Sequence, residues 1–338
     1  MKTLNLNKII LLATLFLVAI AFSNSANALC VVNGDGAIVT VSGPSQTPVK
    51  DDTADEEIAA NTAKNYCLIT PDNYQINIYK FGLCTADPDL NDLTSCQMFF
   101  ESAAGVNLDI QAGVSATLPI PEFYIEPGTY PYLYVQLSSK LGMQWSGRMS
   151  NAVDGSSGDG NGGTYCWTSN AGMKASSYPD GDAAFTTAHG TSMARSVKTM
   201  DCGTSEGTVV TTYELLTKFG EENCSALGAN GDKMTFAEKE GTGASRGLPT
   251  VNLLTSADVF ATTCANASKI AWTTDLDTAY TITEDSTFAM SVKATAANSL
   301  EFSNGNDNDI ELIASGAPRI YLTVTDLCIS PILSCFSS

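Results

Sequence analysis

The chain runs to 338 residues, with 36 Asp and Glu against 17 Lys and Arg, a formal net charge of −19 and one histidine. That acidity repels nucleic acid and anionic membrane surfaces and excludes both as partners gathered by charge. The length suggests roughly two domains, with chain enough to bury a real hydrophobic core.

Residues 1–28 read as a cleavable secretory signal. Met1, Lys2 and Lys8 make a basic start, an apolar run follows from Ile9 to Phe22, and Ser23-Asn24-Ser25 leads into Ala26-Asn27-Ala28. These are the charged region, apolar region and A-x-A cleavage site of an exported precursor. The run falls short of the roughly 20 residues that cross a bilayer. Leu29 stands before Cys30, where lipidation needs a small residue, so Cys30 reads as structural. No later apolar run reaches spanning length, so the mature chain is expected to be secreted, extracellular or at the cell surface, or in the periplasm, with no transmembrane segment.

The ten cysteines, Cys30, Cys67, Cys84, Cys96, Cys166, Cys202, Cys224, Cys264, Cys328 and Cys335, all follow the signal. An even count in an exported chain predicts disulfides. Nearest-neighbour pairing is the expected connectivity, although spacing alone does not fix it. A loop the size of Cys84 to Cys96 contributes about 3 kcal/mol in the chain-entropy model. There is no C-x-x-C pair and the sole histidine is His189, which argues against zinc.

Val31 to Ser42 is the first candidate for an edge strand that adds to a neighbour's sheet. Thr53-Ala54-Asp55-Glu56 is a capping box, predicting a short helix with Ile58, Ala59 and Ala63 on one face. From Asn73 to Phe81 the chain alternates, with Tyr74, Ile76 and Ile78 opposed in parity to Gln75, Asn77 and Tyr79. Pro127-Gly128 marks a turn into a strand that is apolar and aromatic on both faces from Tyr132 to Leu137, as a central strand would be. This segment, Pro119 to Tyr130 with its Pro-Gly-Thr-Tyr entry, is similar to one found in many extracellular β-sandwich modules, several of which bind carbohydrate or build surface structures. Tyr130, Tyr132, Tyr134 and Trp145 are nonetheless expected in the core.

Residues 151–163 hold five glycines and no large apolar side chain after Val153, which predicts a linker or long loop. It would divide an N-terminal β-sandwich domain, 29–150, from a C-terminal β-rich domain, 164–338. Beyond it, Ser256 to Ala267 is a second short helix candidate. Ser286 to Ala294, Asp309 to Ile313 and Arg319 to Thr325 alternate again, the last with Ile320, Leu322 and Val324 inward. Strands rich in Val, Ile, Thr and Tyr and broken by Gly, Asn, Asp and Pro predict an all-β fold: antiparallel β-sandwich domains, jelly-roll or Ig-like, with minor helical insertions and disulfide staples.

Gly190-Thr191-Ser192-Met193-Ala194 resembles the nucleophile segment of subtilisin-like serine proteases. The likeness stops there: Arg195 and Ser196 stand where that family has a proline, and the only histidine lies three residues before Ser192. A triad needs a histidine reaching the serine oxygen and oriented by a carboxylate. One histidine limits other imidazole chemistry as well, and no carboxylate pair is marked out for glycoside hydrolysis. No catalytic residue is therefore expected.

Calcium is the cofactor that the sequence leaves open. Ca²⁺ takes six to eight oxygens, which Asp and Asn alternating on a turn can supply. Asn304, Asn306, Asn308 and Asp309, with Glu311, form the leading cluster; Asp154 to Asn161 and the trio Asp87, Asp89 and Asp92 are looser ones. Turn chemistry explains the same residues without an ion. The expected function is a secreted or cell-surface non-catalytic structural protein, a filament subunit or adhesin-like, which self-associates through an edge strand. The alternatives are a secreted carbohydrate- or calcium-binding β-sandwich module and a carboxylate-dependent hydrolase.

Overall fold

The computed structural model describes residues 16–20, 29–40, 66–89, 92–120, 124–153, 155, 162–169, 173–175, 200–215, 234–235, 250–261, 266–283, 288–304, 310–315 and 319–326. In chain order the strands are β1 Phe16–Ile20, β2 Tyr66–Ile69, β3 Asn73–Cys84, β4 Cys96–Gln111, β5 Ala116–Leu118, β6 Gly128–Ser138, β7 Lys140–Gln144, β8 Ser146–Val153, β9 Gly163–Thr168, β10 Met173–Ala175, β11 Met200–Gly203, β12 Thr212–Leu215, β13 Met234–Thr235, β14 Thr250–Leu254, β15 Lys269–Ile282, β16 Phe288–Thr295, β17 Leu300–Asn304, β18 Ile310–Ser315 and β19 Arg319–Asp326. No α-helix occurs among the described residues.

The strands form four sheets. The largest has the order β10-β12-β7-β3-β6-β15-β14-β13, with β4 also pairing β3; the others are β1-β19-β16-β5, β11-β9-β8 and β18-β17-β2. Every named pair is antiparallel except β10 with β12. Strands from either side of residues 151–163 share the large sheet, β6 lying against β15 from Gly128 to Ser138. Of that segment, 151–153 close β8, Gly155 makes one bridge to Asp201 and Gly163 opens β9.

Alternation works as expected along the first half of β3. Tyr74, Ile76 and Ile78 are buried. The buried residues then change parity to Phe81 and Leu83, yet all five belong to one core. A register shift causes this: Ile78 faces Val106 whereas Lys80 faces Glu101, so Tyr79 alone stands opposite residues 102–105. A bulge of this kind turns a strand about its own axis and re-aims its side chains. Gly105 makes it feasible. Its φ is +75°, and a Cβ there would collide with the Asn77 side chain, whose amide donates to the Ala104 carbonyl at 3.3 Å.

β6 is the central strand that its composition predicts. It lies between β3 and β15, and Leu133 through Leu137 are buried without interruption. Leu133, Val135 and Leu137 enter the main core, which draws residues from all four sheets, including Leu118, Met149, Val292 and Phe302. Trp145 meets Phe302 edge-on at 4.8 Å and so ties the turn after β7 to β17. Tyr134 faces the other way, into a smaller cluster with Cys84, Leu254 and Ala271.

Three disulfides join Cys30 to Cys67, Cys84 to Cys96 and Cys166 to Cys202, in each case the nearest neighbour in sequence. The last two bridge residues directly opposite on paired strands. Such bonds persist in an oxidising, extracellular-type compartment. Cys224, Cys264, Cys328 and Cys335 lie outside the described residues, as does the helix expected after Thr53.

Two expectations are corrected. Residues 256–261 are not a helix: Thr255 and Val259 close a tight turn, Asp258 has a φ of +63° and Phe260 bridges back to Leu254. Val31 to Thr40 is not an extended edge strand. It folds into a hairpin around Asn33, whose side-chain oxygen accepts from the amides of Asp35 and Ala37. Ile38 then docks on β8 through Arg148 and Ser150, so its backbone groups are already spent.

Candidate functional site

Three places have the organisation that function requires. The first is a sheet edge. β19 pairs with β16 along its whole length, from Phe288 opposite Asp326 to Thr295 opposite Arg319. Its other side is covered by β1, antiparallel, from Phe16 opposite Val324 to Ile20 opposite Ile320. β1 is thus the terminal strand of its sheet, and it comes from the middle of the apolar run that precedes Ala26-Asn27-Ala28. A short segment rich in Val, Ile, Leu and Phe suits a strand as well as it suits an export signal. Chemically the pairing is a row of backbone N–H and C=O groups on β19 satisfied by a detachable-looking strand; without it the row becomes a template for another strand.

The second is a clasp on the face of the large sheet. The Asp258 carboxylate accepts from Lys269 Nζ at 2.6 Å, from Gln136 Nε2 at 3.1 Å, and pairs with Lys80 Nζ at 3.1 Å. Lys80 also reaches Glu101 at 3.1 Å, and Lys269 sits over the Tyr79 ring at 4.5 Å. The bulge at Tyr79 helps place both contacts. Burial alone would push the Asp258 carboxyl up, but the hydrogen bonds and charges of Lys269 and Lys80 outweigh it and hold the group below its ordinary range. For Lys80, burial works to lower it, yet Glu101 and Asp258 keep it above the usual lysine value. A carboxylate this fully engaged locks the 255–260 turn onto β3, β6 and β15; it is not a proton donor in waiting.

The third is an open cleft of about 530 Å³ at the Cys84–Cys96 end of β3 and β4. Thr85, Thr94, Ser95, Gln97, Tyr124 and Glu126 line it, with Tyr130 behind them. Tyr124 is 76% exposed. The Tyr130 hydroxyl donates to the Glu126 carbonyl at 2.7 Å, and the Glu126 amide donates to Gln97 Oε1 at 2.9 Å. Burial, then Glu126 and Tyr124, push the Tyr130 phenol up, so it remains a donor at neutral pH.

The calcium candidates and the protease-like segment predicted from sequence supply none of the described residues of the sheet edge, the clasp or the cleft lining. Asn304 ends β17 opposite Ile310, but Asn306, Asn308 and Asp309 lie outside the described residues, as do His189 and Ser192. The Asp92 amide donates to the Asp89 carbonyl at 2.9 Å, and the Asp92 carboxylate accepts from the Thr94 hydroxyl and amide, which hold it below the usual range. Among the described residues no group of three or more His, Cys, Asp or Glu is arranged to hold a metal, so Asp87, Asp89 and Asp92 do not converge. Tyr130, Tyr134 and Trp145 are core residues and Tyr132 is half-buried. The exposed aromatic at the cleft, Tyr124, lies in the Pro-Gly-Thr-Tyr segment, but nothing in its sequence neighbours signals exposure. Among the described residues no helix is long and apolar enough to cross a membrane. Compared with known family models, curated proteins and solved structures, the chain finds no match in any of the three.

Proposed function

We propose that this chain is an exported, non-catalytic building block of a cell-surface or extracellular assembly, whose copies join by strand addition at the β19 edge. The observation that carries the reading is the seat of β1: the strand that covers β19 is drawn from the segment read as the export signal. Cleavage after Ala28 removes it and leaves five register positions of β19 without a neighbour on the side away from β16. In this reading β1 keeps the edge closed in the precursor, and a strand from a second copy closes it afterwards.

Other features fit that role. The Cys30–Cys67 bridge fastens the new N-terminus to β2, and the other two bridges staple strand pairs, so each subunit keeps its form while one edge is open. The four sheets are taken to stack as sandwich layers around their shared core. The full chain carries a net charge of −19, and cleavage makes it more negative by removing Lys2 and Lys8; this charge holds free subunits apart until ions screen it.

The test compares two purified forms, the leader-bearing chain and residues 29–338, by light scattering and negative-stain imaging. The expected result is that the leader-bearing form stays monomeric whereas residues 29–338 form oligomers or filaments, more readily as salt rises. A mature chain that remains monomeric at every concentration and ionic strength would refute the proposal.

A further inference from the structure

We infer that the cleft beside the Cys84–Cys96 bridge binds a neutral saccharide. The inference is independent of strand addition, since the cleft belongs to β3, β4 and the approach to β6 and uses no residue of β1 or β19. Its volume, about 530 Å³, is that of an ordinary small-ligand site, roughly 300–1,000 Å³.

The hydrogen-bonding capacity of the walls points to the ligand. The Thr85 hydroxyl donates to the Ser95 carbonyl and the Thr94 hydroxyl to Asp92, so with their protons engaged both lining hydroxyls can serve a ligand only as acceptors. The exposed Glu126 carboxylate adds further acceptors. Gln97 has its carbonyl engaged by the Glu126 amide, so what it can offer is its two N–H donors. A wall with many acceptors and a few fixed donors suits a molecule with many hydroxyls, each able to donate and accept. Glu126 and nearby Asp92 disfavour an anion. A cation such as Ca²⁺ would want six to eight oxygens, mostly carboxylate or carbonyl, and the lining has a single carboxylate.

Tyr124 supplies the apolar half of the recognition. An exposed aromatic ring at the mouth of a polar cleft is a platform for the C–H face of a sugar ring, with the hydroxyl edges left to the walls. The site is also held in shape before any ligand arrives. Cys96 in its lining is tied to Cys84 by the disulfide, the Thr85 amide and hydroxyl both bind the Ser95 carbonyl, and the Tyr130–Glu126 bond anchors the stretch of chain that carries Tyr124. Preformed walls reduce the ordering cost of binding.

Titration calorimetry on the mature chain, disulfides intact, tests this with maltotriose, cellotriose, xylotriose and tri-N-acetylchitotriose, and with trigalacturonate as the charged counterpart. At least one neutral trisaccharide is expected to bind and the uronate not. Tyr124→Ala should weaken that binding about tenfold while Tyr124→Trp retains it. Gln97→Glu, which still accepts from the Glu126 amide but replaces the donors with charge, should also weaken it. Absence of binding by all four neutral sugars, equal binding of the uronate, or binding indifferent to Tyr124→Ala would each overturn the inference. Because the leader-bearing chain has the same cleft, running the titration on it separates a failed sugar site from a failed assembly.

Discussion

Asp258 shows how much one side chain can organise. Aspartate tolerates a left-handed φ better than most residues, and here that conformation aims the carboxylate at two lysines and a glutamine from three different strands. Asp258→Asn keeps the backbone preference and the shape but removes the charge. We expect it to cost about 1 kcal/mol in urea unfolding, a modest figure because the carboxylate is about a third exposed and partly screened. Because the folded carboxyl titrates below its ordinary 3.8, its contribution is complete above that value and disappears as the pH falls through the lower, folded one. The wild-type urea midpoint should therefore fall faster than that of Asp258→Asn on acidification below about pH 4. Equal slopes would show that the clasp does not contribute. At the core, Phe81→Ala should cost about 3–5 kcal/mol, since the ring is fully buried and packs 5.1 Å from that of Phe99.

At the scale of the strand, sequence legibility depended on how local the cause was. The even-numbered face of β3 and the two-sided burial of β6 could be read directly, because period two and continuous apolarity are properties of a few adjacent residues. The switch of face after Ile78 could not, because its cause is the extra chain of β4 at 102–105. The same limit explains the turn at 256–261, where the sequence predicts a helix: an aspartate near the start of an apolar stretch looks like a first helical turn, whereas Lys80 and Lys269, which stabilise the turn, arrive from other strands. The cleft was equally hidden, since exposure of Tyr124 is set by tertiary packing. Gly105→Ala tests the bulge. With a φ of +75° and a Cβ forced against Asn77, it should lose more than about 1 kcal/mol of stability. A neutral substitution would mean that the β3–β4 register can slip without penalty. The Cys84–Cys96 bridge closes this same strand pair, and Cys84→Ser with Cys96→Ser should cost about 3 kcal/mol and loosen the cleft, seen as a lowered urea midpoint.

For the molecule as a whole, the four sheets feed one core, but they do not have equally secure borders. The hairpin at 31–40, which by sequence is the natural adding strand, is pinned to β8. The segment read as a leader instead occupies an edge. No periodic signal links residues near 18 to residues near 322, so this pairing could be found only in three dimensions. The central claim is that β19 exchanges β1 for a strand from another copy, and the amides of residues 320–324 report on it directly. Hydrogen exchange should find the alternate amides that face β1 protected in the leader-bearing chain, fast in dilute mature protein, and protected again when the mature protein is concentrated into its assembled form. Protection in the mature chain that is the same dilute and concentrated would contradict the claim.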